Sequence, residues 1–176
     1  MAVKILVGIV VLIAGFLGFA STKPANFKYE RSGIILAPAD KVYPFLSDFN
    51  LGSQWNPYEE KDLNMTKTYS PEQGKVGSSM DWSGNKDVGA GNLQITNLVA
   101  NESVDIKLTM TEPMTMSHMV HYRLEPVAEG TKFTWWQDGQ NGLFGKVMTI
   151  VIDCEKMFGE DMEKGIAKLK KVVEVN

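Results

Sequence analysis

Cysteine and histidine are scarce in this sequence, which holds one cysteine and two histidines among its 176 residues. Because Cys154 stands alone, the chain can form no intrachain disulfide and no cysteine-based metal cluster. His118 and His121 are three residues apart on a predicted strand. Their side chains therefore lie on opposite faces and cannot share a metal ion or a substrate. We expect no metal site and no cofactor.

Basic residues are also in slight deficit, since 18 lysines and arginines stand against 21 aspartates and glutamates and the net charge is -3. A nucleic-acid-binding domain carries a basic patch or stripe, so no nucleic-acid partner is expected. The composition, 44% hydrophobic and 22% charged, is ordinary for a globular domain. The length favours a single domain with an extension.

The extension is an apolar run at the N-terminus, in which no charged residue stands between Lys4 and Lys23. Its basic start and its small residues near the end fit a secretory signal peptide. With the aliphatic stem of Lys4 included, the run also reaches the length of a membrane-spanning helix. We interpret residues 1–22 as a single-pass membrane anchor, residues 23–26 as a linker and residues 27–176 as one domain. The alternative is a cleaved signal followed by a secreted or periplasmic domain.

A first strand at Phe27–Leu36 and a helical segment at residues 38–49 open this domain, and residues 50–60 form a second short helix or a loop. Six further strand-sized segments follow, separated by turn residues. Their short connections indicate hairpins and therefore a largely antiparallel sheet. The predicted strands are Leu63–Tyr69, Ser78–Ser83, Gly91–Val99, Val104–Met110, Met116–Glu125 and Lys132–Asp138.

The last segment is predicted to be one long amphipathic helix from about Gly142 to Val175. Apolar residues, Cys154 among them, recur every three or four positions, and charged residues occupy much of the other side. At 1.5 Å per residue such a helix would be about 45–50 Å long. In a domain of this size, a broad curved sheet is the element that can cover an apolar stripe of that length.

Several short segments stand in a recognisable order and spacing. They begin with ERSGIILAPADKVYPFLSDF and WNPY, continue with GSSMDWSGN and GAGNLQI, and end with YRLEP, GTKFTWW and DMEKGIAKLKKVVE. From Tyr29 to about Val173 this set resembles the SRPBCC superfamily of START-related domains, and within it the polyketide cyclase/dehydrase-like branch. The resemblance implies an α+β helix-grip fold, with two short helices after the first strand and a curved, seven-stranded antiparallel sheet wrapped around a long C-terminal helix.

The resemblance also implies a cavity between the sheet and the C-terminal helix, suited to a small hydrophobic molecule or lipid. In the strand GTKFTWWQDG, Phe133 and Trp135 are then expected inside. Trp136 is expected outside, packed on a neighbour such as Arg123 rather than against a membrane. The large rings in the cavity either line it or plug it. The predicted lining residues are Trp55, Tyr58, Met80, Trp82, Ile106, Leu108, Met110, Val120, Tyr122, Phe133, Trp135, Phe158 and Met162.

Three residues are candidates for acid–base chemistry if the domain is an enzyme, namely His118, Tyr58 and Tyr122. On the predicted strand His118 shares a face with Tyr122 and points toward the cavity, whereas His121 is expected in solvent. The sequence offers no convincing nucleophile–base pair of the kind that hydrolases and transferases need. A structural, hydrogen-bonded role for His118 is the favoured interpretation.

Three functions therefore stand as hypotheses. The first is a membrane-tethered domain that binds a hydrophobic small molecule or lipid. The second is a cyclase- or dehydratase-like enzyme acting on an aromatic or polyketide substrate. The third is a protein-interaction module with a filled core. The fold hosts many unrelated roles, so it does not choose among them. The volume and lining of the cavity are the observations that discriminate.

Overall fold

The computed structural model describes residues 2–175. One helix, one strand and a group of short helices open the chain, six strands follow, and two helices close it. In chain order the elements are α1 (Ala2–Ser21), β1 (Asn26–Ile35), α2 (Ala39–Ser47), α3 (Phe49–Gly52), a 3-10 helix η1 (Pro57–Glu60), β2 (Thr66–Tyr69), β3 (Ser79–Ser83), β4 (Ala90–Val99), β5 (Ser103–Glu112), β6 (Met116–Val127), β7 (Gly130–Gln140), α4 (Leu143–Val151) and α5 (Cys154–Glu174).

All seven strands form one antiparallel sheet in the order β1-β7-β6-β5-β4-β3-β2. Neighbours along the chain from β2 to β7 are neighbours in the sheet, as the short turn segments predicted, and β1 closes the far edge by pairing with β7. Two register irregularities in β4 help the sheet to bend. The tight turn into β7 requires Gly130, whose φ is 147°. A Cβ atom at this position would collide with the carbonyl oxygen of Ile35.

Helix α5 lies on the concave face of the sheet and contacts β1 and η1. Its buried residues include Met162, Ile166, Leu169 and Val173, spaced three or four apart, so one stripe of the helix faces the strands. Each such side chain contributes about 1.5–3 kcal/mol when fully buried. The Asp153 side chain caps the helix by accepting a hydrogen bond from the Lys156 backbone N–H at 3.0 Å. The predicted grip of sheet on helix is confirmed.

The C-terminal segment is nevertheless two helices, so the prediction of one helix over residues 142–175 is wrong at its N-terminal end. Ile152 has an extended backbone, with φ -124° and ψ 137°. A separate helix, α5, then begins after its N-cap residue Asp153. Helix α4 contacts α1. Cys154 consequently lies in the first turn of α5, half-buried at the cleft that Tyr29 also lines, rather than among the buried residues of the apolar stripe. The apolar periodicity runs through the break, so periodicity alone did not reveal it.

Helices α2 and α3 cover a second part of the concave face. Val42 and Leu46 of α2 and Phe49 of α3 are buried against it. The two helices are separated at Asp48, whose side chain accepts a hydrogen bond from the Asn50 backbone N–H at 2.7 Å and so begins α3. The chain therefore turns sharply above the sheet, and this turn forms the cover of the candidate site.

Helix α1 is a 20-residue apolar helix that is exposed over most of its length, with Ala20 buried near its end. Among the described residues it is the helix long and apolar enough to cross a membrane. Its length and composition suit a signal sequence equally well. The same helix therefore fits both N-terminal interpretations.

Candidate functional site

A partly open cavity of about 80 Å³ lies between the concave face of the sheet and the cover formed by residues 45–59. Strands β3 to β7 supply one wall, and α2, α3 and η1 supply the other. None of its described lining residues belongs to α5, so the prediction of a cavity between the sheet and the C-terminal helix is wrong for this cavity, because the cover formed by residues 45–59 takes that place. The lining is mainly apolar. Its residues are Phe45, Leu46, Asp48, Phe49, Gly52, Ser53, Trp55, Asn56, Tyr58, Glu59, Met80, Leu93, Ile106, Leu108, Val120, Tyr122, Trp135 and Gln137.

An aromatic cluster occupies most of the space behind this cavity. The ring centroid of Trp55 lies 5.5 Å from that of Trp135, 5.7 Å from that of Tyr122 and 6.1 Å from that of Phe133, each ring meeting Trp55 edge to face. Such pairs contribute about 0.5–1.5 kcal/mol beyond their buried area. The Trp55 indole N–H donates to the Phe45 carbonyl oxygen at 2.8 Å, which fixes the ring. Three of these residues, Trp55, Tyr122 and Trp135, thus line the cavity, and Phe133 is buried in the core beside them.

Most of the residues predicted to line the cavity do so, namely Trp55, Tyr58, Met80, Ile106, Leu108, Val120, Tyr122 and Trp135. The structure places the remaining five elsewhere. Phe133 and Met162 are buried in the core, and Phe158 stacks on Tyr29 with centroids 5.1 Å apart. The other two are Trp82 and Met110, which pack beside glycines of the β3–β4 hairpin.

The polar part of the lining escaped the sequence analysis. Asp48, Asn56, Glu59 and Gln137 all contribute to the cavity wall. Alternation along β7 could have identified Gln137, because it is two residues beyond Trp135 and shares its face. The others lie in the cover, where no periodic pattern relates a residue to the sheet.

Two buried polar atoms of lining residues have no hydrogen-bond partner. One is the indole N–H nitrogen of Trp135, and the other is Oε1 of Glu59, whose second oxygen pairs with Lys67 Nζ at 2.6 Å. An unsatisfied buried polar group costs about 1–3 kcal/mol. A donor and an acceptor without partners therefore belong to residues that line an apolar space, which is a favourable arrangement for a ligand with a polar group.

Tyr58 and Tyr122 both line the cavity. Burial raises the pKa of Tyr58, and so does the nearby carboxylate of Asp161. Burial likewise raises the pKa of Tyr122, with a smaller contribution from Tyr58. Both hydroxyls therefore remain protonated at neutral pH. They are suited to donate hydrogen bonds and poorly suited to act as bases.

The two histidines lie on opposite faces of β6, as predicted. His118 is buried on the concave face, where its Nε2 lies 2.9 Å from Oε1 of Gln137. Burial lowers the pKa of His118, so the ring is neutral at neutral pH. The residue stands beside the cavity rather than in its lining, and its edge meets the ring of Phe27.

His121 was expected in solvent, and that expectation is wrong. Its Nδ1 lies 2.7 Å from Asp105 and its Nε2 lies 3.6 Å from Asp138. Its ring stacks on Trp136 with centroids 4.6 Å apart. Trp136 also lies 6.0 Å from the Arg123 guanidinium carbon, which confirms that this indole packs on outer-face neighbours. Flat rings on adjacent strands cover each other, and this pairing leaves the His121 side chain only 18% exposed.

Within residues 2–175, no group of three or more histidine, cysteine, aspartate or glutamate side chains has an arrangement that could hold a metal ion. The candidate site therefore consists of an apolar cavity, an aromatic cluster and a few polar groups at the cover. A site of this kind can bind and orient a small molecule through shape and hydrogen bonds.

Comparison with solved structures shows the same fold in proteins of distant sequence. A protein from Mesorhizobium loti, MLL2253, has a TM-score of 0.63 at 14% identity, with 85% of this chain and 98% of that chain covered. The Aha1 dimer from Colwellia psychrerythraea has a TM-score of 0.62 at 19% identity, with 85% and 97% covered. A protein of unknown function from Staphylococcus aureus, SA2116, has a TM-score of 0.65 at 13% identity, with 87% and 96% covered.

At such identities these likenesses concern the fold alone, and they confirm the helix-grip arrangement. A search of the curated proteins found no match. The model of one protein family, described as polyketide cyclase / dehydrase and lipid transport, matches residues 26–174. This match covers the whole sheet, the cover of the cavity and helix α5. The chain therefore belongs to the polyketide cyclase/dehydrase and lipid transport family.

Proposed function

We propose that this protein binds a small hydrophobic molecule or lipid in the cavity beneath residues 45–59, and that α1 tethers it to a membrane. The observation that carries the proposal is the buried indole N–H of Trp135, a residue of the cavity lining, which has no hydrogen-bond partner. A ligand oxygen that accepts from this group would relieve a cost of about 1–3 kcal/mol. The expected ligand is therefore apolar, with one hydrogen-bond-accepting group.

A ligand of ordinary size requires the cavity to widen beyond about 80 Å³, since small-molecule sites typically measure about 300–1,000 Å³. We infer that this widening comes from the cover, because the opposite wall is a continuously hydrogen-bonded sheet. The hydrogen bond from Trp55 to the Phe45 carbonyl joins two residues of the cover, so both can shift together without breaking it. The ion pair between Glu59 and Lys67 links the cover to β2. Outward displacement of the cover would withdraw the Trp55 ring and enlarge the space beside Trp135.

Tethering is proposed from the dimensions of α1. Its 20 residues span about 30 Å at 1.5 Å per residue, which equals the hydrocarbon thickness of a bilayer. A tether would keep the domain beside the membrane in which a hydrophobic ligand dissolves. Alkaline carbonate extraction of membranes from expressing cells tests this part. A retained anchor leaves the full-length chain in the pellet, whereas a cleaved signal leaves a soluble chain that begins near residue 22.

Binding is tested by the indole N–H resonances of the ¹⁵N-labelled full-length protein in detergent micelles. Titration with amphiphiles of graded chain length, such as fatty acids and isoprenoid alcohols, should shift the Trp135 resonance as its N–H gains an acceptor. Trp136 is the internal control, because its indole lies on the opposite face and already donates to Asp138 at 3.2 Å. Equal shifts at both indoles would indicate a general solvent effect and would contradict the proposal.

A pair of variants gives the matched control. Leu108→Phe adds a ring to the cavity wall and should abolish the Trp135 response. Lys107→Phe adds the same ring on the exposed neighbouring residue of β5 and should leave the response intact. If no amphiphile shifts the Trp135 resonance in the unmodified protein, the binding proposal fails and the result favours the hypothesis of a protein-interaction module with a filled core.

Binding is favoured over acid–base catalysis by the state of the candidate groups. The raised pKa values of Tyr58 and Tyr122 make their hydroxyls hydrogen-bond donors to a bound ligand. The neutral ring of His118 contacts Gln137 of the lining and does not itself line the cavity. Turnover of an aromatic or polyketide substrate that is lost in Tyr58→Phe and Tyr122→Phe, with substrate binding retained, would favour the enzyme instead.

A further inference from the structure

Helix α4 presents an apolar surface that the domain does not cover. None of the described α4 residues is buried, and Leu143, Phe144 and Val151 are 48%, 53% and 69% exposed. Ile152, which follows α4, and Met157, in the first turns of α5, are also exposed apolar residues. Contiguous apolar surface of this kind marks a site of contact with a membrane or another protein. We call the exposed apolar side chains of residues 143–157 the α4 surface.

The position of α4 is fixed at the C-terminal end of α1. The two helices contact each other, and Lys146 Nζ donates to the carbonyl oxygen of Ser21, the last residue of α1, at 2.9 Å. Just before α4, the backbone N–H of Asn141 donates to the Ala25 carbonyl at 2.7 Å. If α1 crosses the bilayer, its end lies at the boundary between hydrocarbon and headgroups, and α4 lies at the same level.

Two amines near the junction of α4 with α1 also suit that boundary. The acidic residues Asp153 and Glu155 lie beyond the end of α4, where Asp153 caps α5 and Glu155 pairs with Arg31. Lys146 is the one charged residue in the sequence of α4. Lys23 lies close to the same end of α1, with its Nζ 4.7 Å from the ring centroid of Phe19. Amines at this level reach lipid phosphates, while the apolar side chains beside them enter the acyl region.

A cleft of about 430 Å³ opens at the junction of α4 and α5, next to Tyr29 and Val151.

We propose that α4 is an interfacial helix whose apolar surface lies in the bilayer beside the end of α1. This inference rests on the proposed membrane anchor. A single transmembrane helix fixes the domain to the membrane but leaves it free to rotate. A second contact at α4 holds the domain in one orientation, with the Asn26 end of β1 toward the lipid and the Ile35 end away from it.

The test uses the full-length chain in phosphatidylcholine nanodiscs. Cys154 is replaced by serine, single cysteines are placed at Phe144 or Val151, and each is labelled with an environment-sensitive fluorophore. Lipids carrying a nitroxide high or deep on the acyl chain then report contact and depth. Leu12, within α1, is the positive control for the anchor. Leu36 is the matched control, because it is 65% exposed and follows the far end of β1, about 30 Å from Asn26 at 3.3 Å per residue.

We expect the shallow nitroxide to quench labels at positions 144 and 151 several-fold more than a label at position 36, and the deep nitroxide to quench position 12 most strongly. Quenching at position 12 without quenching at 144 and 151 overturns the inference and leaves the anchor standing. If no label is quenched at any position, both the membrane anchor and the inference are contradicted. A water-soluble quencher gives the last distinction. If labels at positions 144 and 151 are protected both from it and from the lipid nitroxides, the α4 surface contacts a protein, and the inference is overturned.

Discussion

The indole ring of Trp135 lies directly against Gly165 of α5. A Cβ atom at Gly165 would stand 2.8 Å from Cζ3 of that ring and 3.2 Å from Cδ of Pro57. Strand β7, helix α5 and the 3-10 helix η1 therefore meet at one point where there is no room for a side chain. This contact closes the cavity on the side of the C-terminal helix.

Substitution of Gly165 should destabilise the fold. Within a helix alanine is more favourable than glycine by up to about 1 kcal/mol. Here, however, its Cβ atom would be too close to the rings of Trp135 and Pro57. Overpacking typically costs about 1–3 kcal/mol, so we expect Gly165→Ala to lower the free energy of unfolding in urea and Gly165→Val to lower it further. Lys164→Ala, at an exposed position of the same helix, should change it by less than about 0.5 kcal/mol. A Gly165→Ala protein more stable than the unmodified one would refute the close contact.

The ion pair between Lys61 and Asp161 should stabilise the junction of η1 and α5. Lys61 Nζ lies 2.6 Å from Oδ2 of Asp161, whose side chain is 9% exposed. Lys61→Met leaves a nearly buried carboxylate without its partner. Breaking a fully buried pair costs about 3–5 kcal/mol, and the partial exposure of Lys61 reduces the expected loss to about 1–3 kcal/mol.

The matched control for that pair is Lys156→Met. Lys156 is 72% exposed and lies 3.9 Å from Glu160, so its loss should cost no more than about 0.5 kcal/mol. Equal urea midpoints for the two variants would show that the contact of Lys61 with Asp161 contributes no more than a surface pair.

Trp55→Phe should loosen the aromatic cluster. The substitution removes the hydrogen bond to the Phe45 carbonyl oxygen and part of a ring that meets three others. An unpaired carbonyl and a small void together predict a loss of about 1–3 kcal/mol in the free energy of unfolding. Trp136→Phe, on the outer face, is the control and should cost less. Binding of a hydrophobic dye should rise in Trp55→Phe, because the void enlarges the cavity.

Stability should fall as the pH drops below the pKa of an unfolded histidine. Burial lowers the pKa of His118 in the folded protein, while the unfolded value is about 6.5. Below about pH 6.5 the unfolded chain therefore binds a proton at this histidine that the folded chain does not bind. The free energy of unfolding decreases as a result, until the pH falls to the lowered pKa of the folded protein. Urea unfolding between pH 7.5 and 5 should show this decline.

His118→Gln should reduce that pH dependence, because the variant has no proton to take up at this position. The neighbouring His121→Gln variant provides the control. It removes the stacked pair on the outer face but should retain the decline caused by His118. A pH dependence that is unchanged in His118→Gln would show that the buried imidazole is not its source.

Sequence reasoning succeeded where a single element decides the outcome. Alternation put Trp135 and Trp136 on opposite faces and separated His118 from His121, because successive side chains of a strand point to opposite faces. The family resemblance then indicated that Trp135 is the inner one of the two. It failed at Ile152, since an apolar stripe can continue across a break between two helices. It also missed Asp48 and Glu59, which line the cavity from an irregular segment in which spacing does not reveal direction.

The sequence by itself determined the sheet, the amphipathic helix α5 and the faces on which their side chains lie, since each follows from a local period of two or of about 3.6 residues. Tertiary structure alone decided the volume of the cavity, the partners of His121 and the docking of α4 on α1. These depend on contacts between residues far apart in the chain, such as Ser21 with Lys146 and Lys61 with Asp161. Close packing sets such contacts through the shapes of all the side chains involved, and no local pattern records them.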